Sequence, residues 1–195
     1  MATVAEIYDM SEEVCVTYEL PLALTWACRA NVNEIMSDPY KKRTLFIQSN
    51  FCYADDLFST SLVRRCEKRQ LQEGQGIAGK ALQSSDQHFH FEPNITTEHY
   101  PVGDFVFFYK DQAAVAICLQ NNYNIDDVYV VEFFLPPETK SLALQIFNDL
   151  KNMKKKFVKV RGVLQGLNEQ VPILIVFTLP DTCIIQGSKY NNIFF

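Results

Sequence analysis

Three residues of this sequence offer the chemistry of a small anion pocket. Trp26 is the single tryptophan, Arg29 follows it closely, and Tyr53 ends the next apolar segment. Aromatic faces can wall a ligand cavity, and a guanidinium supplies charged hydrogen-bond donors to an anion. The aromatic residues suit plain core packing equally well. Residue types alone therefore leave two interpretations open, a ligand-binding group of Trp26, Arg29 and Tyr53 or a purely structural one.

Three glycines, Gly74, Gly76 and Gly79, have the G-x-G-x-x-G spacing of dinucleotide-binding loops. That chemistry needs a strand that runs into the glycines and a helix amino terminus that faces a pyrophosphate. The residues at 69–73 are polar and predict a helix, so we expect no cofactor at this motif. The glycines predict a tight backbone course and close packing where a loop enters a helix.

Cysteines and histidines could supply a nucleophile, a base or metal ligands, but no local signature links them. The sequence has no C-x-x-C pair. His88 and His90 would share one face of a strand, yet no third ligand lies near them in the sequence. We therefore expect no metal site and no catalytic residue. The six cysteines are expected to be reduced and buried: Cys15, Cys28, Cys52, Cys66, Cys118 and Cys183.

Composition and net charge limit the classes of protein to which this sequence can belong. With 48% hydrophobic and 21% charged residues, the 195-residue chain can form one sizeable core. Its formal net charge of −5 offers no positive field to a phosphate backbone. We therefore expect no direct contact between this chain and nucleic acid.

The sequence predicts a protein of the nucleus or cytosol. The first residues are acidic and lack the basic-then-apolar pattern of a secretory signal. The longest apolar tract, 171–179, has about half of the roughly 20 residues that a membrane-spanning helix needs. We expect neither a targeting segment nor a membrane partner.

The spacing of apolar residues predicts an alternation of helices and strands. In chain order the prediction is a helix over 4–20 ended by Pro21, a strand over 22–28, a loop over 31–43, a strand over 44–53, a helix from 57 to about 71 capped at Asp55 or Asp56, a short helix to 82, a strand over 88–91, a possible helix over 100–109, a hairpin of strands 113–120 and 128–135, and a long helix over 138–160. That last helix should pack across the sheet or against a partner copy.

This order predicts an α+β fold with a central, mainly antiparallel sheet and helices packed on it. The domain is expected over 4–160, and 161–195 is a tail of unknown structure.

Six short blocks of sequence resemble, in order, the GAF-like amino-terminal regulatory region of plant NIN-like proteins, the RWP-RK transcription factor family. They cover about 6–160 and lie at 15–26, 52–53, 74–81, 98–101, 113–117 and 132–136. The resemblance implies a GAF-like fold and a role in the nitrate response and in transcription regulation. Members of the family join this region to an RWP-RK DNA-binding domain, and no such sequence follows Arg161 here.

The resemblance also implies a nitrate pocket, and it places Trp26 and Tyr53 there. Family members have a histidine in the loop after the tryptophan, whereas residues 28–42 contain none. Arg29, or one of Lys41, Lys42 and Arg43, could take its place.

We therefore expect a non-enzymatic sensory domain that acts through nitrate and through protein contacts, as a homodimer or with full-length NIN-like proteins. One alternative is a dimerisation or interaction module with a vestigial pocket. The other is a cysteine-dependent reductase, because GAF-like folds include a small reductase of that kind.

Overall fold

The computed structural model describes residues 2–29, 42–84, 89–93, 95, 112–124, 127–137, 139–153 and 158–160. Four α-helices and eight strands alternate along this part of the chain: α1 (Ala2–Tyr18), β1 (Leu22–Arg29), β2 (Thr44–Ile47), β3 (Tyr53–Ala54), α2 (Leu57–Cys66), β4 (Gln70–Gln72), α3 (Gly76–Gln83), β5 (Phe89–Glu92), β6 (Ala113–Asn121), β7 (Val128–Leu135), α4 (Lys140–Asn152) and β8 (Val158–Val160). A short 3-10 turn, Ser49–Phe51, lies between β2 and β3.

One eight-stranded sheet carries the fold. Its strand order is β4-β2-β1-β7-β6-β5, with β3 paired to β1 and β8 paired to β6. Every strand pair described is antiparallel. The predicted α+β class, with a mainly antiparallel sheet, is confirmed.

Successive side chains of each strand point to opposite faces of the sheet, and helices cover both faces. One face, the α2–α3 face, packs against Leu62 and Cys66 of α2 and against Ile77 and Ala81 of α3. The other, the α1–α4 face, packs against helices α1 and α4. Helices therefore cover the sheet on both sides, and each face has its own apolar cluster.

The first helix and the central hairpin match their predictions. Helix α1 ends at Tyr18, where Glu19 takes a left-handed conformation with φ 53° and the Leu20 amide donates to the Cys15 carbonyl at 2.9 Å. This is the usual way to close a helix, although a glycine is more common at the left-handed position. Strands β6 and β7 pair from Ala113 opposite Leu135 onward, as predicted.

The predicted strand over 44–53 is wrong in its middle, where the 3-10 turn divides it into β2 and β3. Thr25 of β1 holds this turn: its carbonyl accepts from the Gln48 amide at 2.8 Å, and its hydroxyl donates to the Phe51 carbonyl at 2.7 Å. Polar residues that favour turns, Ser49 and Asn50, occupy the break.

The predicted helix over 57–71 is correct in its start and wrong in its end. Asp56 caps α2, because its carboxylate accepts from the Ser59 amide at 2.7 Å. The helix ends at Cys66, and Gln70–Gln72 form strand β4 with Leu71 buried between two exposed glutamines. A strand therefore does precede the glycine motif, contrary to the sequence-based expectation.

The glycines nevertheless serve packing, as predicted. Strand β4 pairs antiparallel with β2 at the sheet edge, unlike the parallel strand of a dinucleotide-binding unit. Gly74 and Gly76 have φ of 84° and 65°, which few other residues tolerate. A side chain at Gly79 would lie against the Gln72 carbonyl oxygen, closer than van der Waals contact.

The predicted helix over 138–160 is also too long. Helix α4 covers Lys140–Asn152, and Val158–Val160 form strand β8, which pairs with β6. The Val-Lys-Val alternation is typical of a strand. The helix packs on the sheet through Ile146, Phe147 and Leu150, as one of the two predicted arrangements requires.

Several predictions lie outside the described residues. They concern most of the loop 31–43, residue His88, the segment 100–109 and the tail 161–195. Within the described ranges, no helix has the length and apolar content to cross a membrane.

The close approach at Gly79 gives a stability prediction. We expect Gly79→Ala to lower the free energy of unfolding by about 2 kcal/mol, because the backbone of β4 must shift to admit the methyl group. Chemical denaturation measures the change. Lys68→Ala, an exposed change outside the glycine turn, is the control and should stay within about 0.5 kcal/mol of the parent. Equal stability of Gly79→Ala and the parent would contradict this account of the turn.

Candidate functional site

Trp26 lies on the α2–α3 face and is 2% exposed. Its indole Nε1 donates to Oε2 of Glu132 at 3.1 Å. Strand β1 positions the tryptophan and β7 positions the glutamate, and the two strands pair along most of their length. A buried polar pair therefore sits inside an otherwise apolar cluster.

Glu132 is fully buried at the centre of the sheet. It pairs with Leu24 on one side and with Ala116 on the other. Because removal from water disfavours the charged form, burial raises the pKa of Glu132 to about 8, although the Trp26 hydrogen bond acts in the opposite direction. At neutral pH the group is predominantly an uncharged carboxylic acid.

His90 lies on the same face, in line with Glu132. Ala116 pairs with Glu132 of β7 on one side and with His90 of β5 on the other. Since neighbouring strands are about 4.8 Å apart, only the small Ala116 side chain separates the two polar groups in this row. His90 Nε2 also lies 3.7 Å from a carboxylate oxygen of Glu92, which in turn is 3.5 Å from Lys80 Nζ. Besides the aromatic Trp26, the α2–α3 face therefore carries carboxyl, imidazole and ammonium groups.

Tyr53 does not join this group, because Trp26 and Tyr53 pack on opposite faces of the sheet. Trp26 pairs with Ile47, and the same register continued along β1 would pair Ala23 with Asn50. In the structure Ala23 pairs instead with Tyr53, which is a shift of three residues. An odd shift reverses the face on which a side chain lies. Tyr53 accordingly packs on the α1–α4 face.

The cationic candidates differ in their surroundings. Arg29 ends β1, opposite Thr44, and its side chain lies outside the described part of the structure. Arg43 is already engaged: it forms an ion pair with Glu73 at 2.7 Å and donates to the Leu82 carbonyl at 2.8 Å. The hydrogen bond from Arg43 lowers the pKa of Glu73. Lys42 is exposed, and Lys41 lies outside the described residues.

Two surface clefts in the described part of the chain are acidic. The first lies between α1 and α4, and the second lies at the start of α2. Their linings are Glu13, Val14, Thr17, Tyr18, Asp149, Asn152 and Met153 in the first and Ala54, Asp55, Asp56, Leu57, Phe58 and Thr60 in the second. In the first, the Tyr18 hydroxyl donates to Asp149. Carboxylates in both clefts disfavour the binding of an anion there.

The five cysteines of the described segments are buried or half-buried. None of the five in the described segments forms a disulfide; Cys183 lies outside them. Burial raises the pKa of Cys52 and of Cys66 to about 12, and burial also raises the pKa of Cys28. These thiols stay protonated at neutral pH, and the thiol is a poor nucleophile compared with the thiolate. On β1 and β6, Cys28 and Cys118 are separated by the whole of β7.

Metal ligands do not cluster in the described ranges, where no group of three such side chains occurs. His90 is described, whereas His88, with which it would share a strand face, lies outside the described residues.

Comparison with known proteins identifies the family. The family model for the NLP protein GAF domain matches residues 1–161. The chain belongs to the NLP GAF domain family. The resemblance to NIN-like proteins that the sequence blocks predict is thereby confirmed, and the chain is a regulatory domain of the kind found in NLP transcription factors.

Three NLP relatives show the extent of the similarity. Protein NLP2 of Oryza sativa subsp. japonica is 32% identical over 168 residues, which cover 79% of this chain and 18% of the relative. Protein NLP6 of Arabidopsis thaliana is 34% identical over 177 residues, or 82% and 21% of the two chains. Protein NLP8 of Arabidopsis thaliana is 35% identical over 150 residues, or 74% and 16%. The NLP GAF domain described here thus spans about a fifth of the length of these relatives.

One solved structure is also similar. The A. aeolicus nlh2 GAF domain in an inactive state aligns with a TM-score of 0.45 and 18% sequence identity, over 76% of this chain and 88% of that chain.

The sequence did not reveal that Glu132 is buried and accepts a hydrogen bond from Trp26 in this NLP GAF domain. The available signal was a single acidic residue within the apolar run of β7, where a charge needs a partner or must be neutralised. His90 was considered as a base or a metal ligand but not as a neighbour of Glu132, because the register that aligns the two residues cannot be read from a single strand.

The buried carboxyl predicts a pH dependence of stability. The folded protein holds a proton on Glu132 that an unfolded chain releases above about pH 4.3. Stability should therefore fall as pH rises from about 5 to 8, by on the order of 1 kcal/mol per pH unit, and then level off.

Glu132→Gln tests this linkage, because glutamine keeps an acceptor for the Trp26 indole and has no proton to lose. Urea unfolding at several pH values should show a smaller slope for this variant than for the parent. Glu67→Gln, which alters an exposed carboxylate, is the control and should keep the parental slope. The same slope in Glu132→Gln and the parent would show that Glu132 is not the group responsible.

Proposed function

We propose that this NLP GAF domain senses a small anion, with nitrate as the first candidate, on the α2–α3 face of its sheet. The observation that carries the proposal is the buried hydrogen bond between Trp26 and Glu132. Buried polar groups in an apolar cluster oppose stability unless satisfied, so their presence is a reason to look for a function.

Nitrate fits the donors on this face. It is a flat anion that only accepts hydrogen bonds, so its site must supply donors in exchange for water. The Trp26 indole N–H is one donor, and a protonated Glu132 adds an O–H group. Arg29, the cation that the sequence suggests, lies three residues along β1 from Trp26, and an odd separation on a strand places two residues on opposite faces. The proposed site therefore relies on these two neutral donors. Tyr53 has no part in the proposed site because it packs on the other face.

The proposed output is a protein contact and not DNA binding. The net charge of −5 disfavours a direct nucleic-acid contact, so the domain would act on a copy of itself or on full-length NIN-like proteins, in the nucleus or cytosol. Val16 of α1 and Leu57 of α2 are 64% and 91% exposed. Such exposed aliphatic residues suit a contact with another protein. No catalytic step is proposed, consistent with protonated, buried thiols.

A second candidate is an interaction module whose pocket holds no ligand. The near-complete burial of Trp26, with its indole donor already used by Glu132, favours this candidate, because such a pair can hold the face closed by itself. Indifference to anions in a protein that still folds and dimerises would support it.

Thermal unfolding with and without millimolar nitrate tests the proposed function. A ligand that binds only the folded state raises its stability, by about 1.4 kcal/mol at roughly ten times the dissociation constant. We expect nitrate, compared with chloride at equal ionic strength, to raise the melting temperature of the parent but not of Trp26→Phe. Tyr53→Phe, on the opposite face, is the matched control and should respond as the parent does. Equal melting temperatures of the parent in nitrate and chloride would contradict nitrate sensing.

A further inference from the structure

The charge balance around Glu132 bears on which ligands the α2–α3 face accepts. Two cationic side chains near this face are already matched by carboxylates: Arg43 by Glu73 at 2.7 Å and Lys80 by Glu92 at 3.5 Å. An ionised Glu132 would therefore add a negative charge that these cations do not offset.

Other titratable groups reach the same face from each surrounding element. They are Cys28 of β1, Cys66 of α2, Cys118 of β6, and His90 and Glu92 of β5, together with Lys80 of α3 and the Arg43–Glu73 pair at the β2 and β4 edge. Thiols are neutral until alkaline pH when buried, and an ordinary imidazole is neutral above about pH 8. Among these described groups, Glu132 is the one with a pKa raised to about 8, so its charge is expected to change between about pH 8 and 9.5.

The distance between Trp26 and Glu132 couples this charge to any ligand of the indole. Trp26 Nε1 lies 3.1 Å from Glu132 Oε2, so an anion that accepts from the indole must come within a few ångströms of the carboxyl group. Like charges at that range repel strongly in a protein interior, where little water screens them.

We propose that anion binding on the α2–α3 face is proton-coupled through Glu132: the anion binds while Glu132 is a neutral carboxylic acid, and an ionised Glu132 must take up a proton for the anion to bind. This inference rests on the proposed function and names the residue that selects for an anion plus a proton. Glu132 would then be a specificity-determining residue, because its ionised form rejects the ligand that its neutral form admits.

Because nitrate binding and proton binding by Glu132 are coupled, the pKa of Glu132 sets how the affinity for nitrate depends on pH. Since burial raises the pKa of Glu132 to about 8, affinity for nitrate should be nearly constant below neutral pH and should weaken above it. Well above that pKa the dissociation constant should rise by about tenfold per pH unit, with uptake approaching one proton per nitrate.

Calorimetric titration of the 195-residue chain with sodium nitrate tests the coupling. At each pH, two buffers with different ionisation enthalpies give the number of protons taken up. The parent should take up few protons at about pH 7 and close to one at about pH 9, where binding is weaker. Glu132→Gln should bind with an affinity that does not change between these pH values and without proton uptake. Glu67→Gln, an exposed change at the end of α2, should keep the parental uptake.

The outcomes separate this inference from the proposed function. Nitrate binding by the parent at both pH values, with equal affinity and no proton uptake, would overturn the coupling and leave nitrate sensing intact. No binding at either pH would overturn both. If Glu132→Gln does not fold, proton uptake by the parent alone still decides the matter.

Discussion

The fold has to accommodate one ionisable carboxyl group at the centre of its sheet. Glu132 has a strand on each side and helices above it, so it has no access to water. The Trp26 indole donates a hydrogen bond to this carboxyl group, and burial raises the pKa of Glu132 so that the group stays protonated at neutral pH. An apolar residue of similar size would be a simpler solution for stability, since buried polar groups add a desolvation penalty. A local exception of this kind in an otherwise consistent sequence is what a functional site looks like.

The two faces of the sheet differ in the side chains that they carry. The α1–α4 face is an aliphatic and aromatic cluster in which Phe89 packs edge-on against Phe147 at 5.5 Å between ring centroids. On the α2–α3 face, the small Ala116 lies between Glu132 and His90, and Gly79 lets α3 approach β4 closely. A ligand on this face would lie under α2 and α3, so its binding would change the packing of α2, the helix that carries the exposed Leu57. That route would connect ligand binding to a contact with another protein.

Strong local patterns could be predicted from the sequence, and pairing between distant segments could not. Helix α1 and the β6–β7 hairpin have clear periodicity and turn signals, and the successive sequence blocks identified the family. Strands β4 and β8 are only three residues long, so their alternation is too short to distinguish a strand from the end of the preceding helix. The face on which Tyr53 lies has the same origin. A three-residue shift at the 3-10 turn places Tyr53 on the face opposite Trp26, and this shift is visible only in the pairing of β1 with β2 and β3.

The central claim is that the Trp26–Glu132 pair marks a ligand-binding face, and a nuclear magnetic resonance titration tests it most directly. Because Trp26 is the single tryptophan, a nitrogen–proton correlation spectrum contains one indole resonance, which reports on this pair alone. The account predicts that nitrate shifts this resonance in a saturable manner, while chloride at the same ionic strength does not. An indole resonance that nitrate leaves unmoved, in a protein whose spectrum is that of a folded domain, would contradict it.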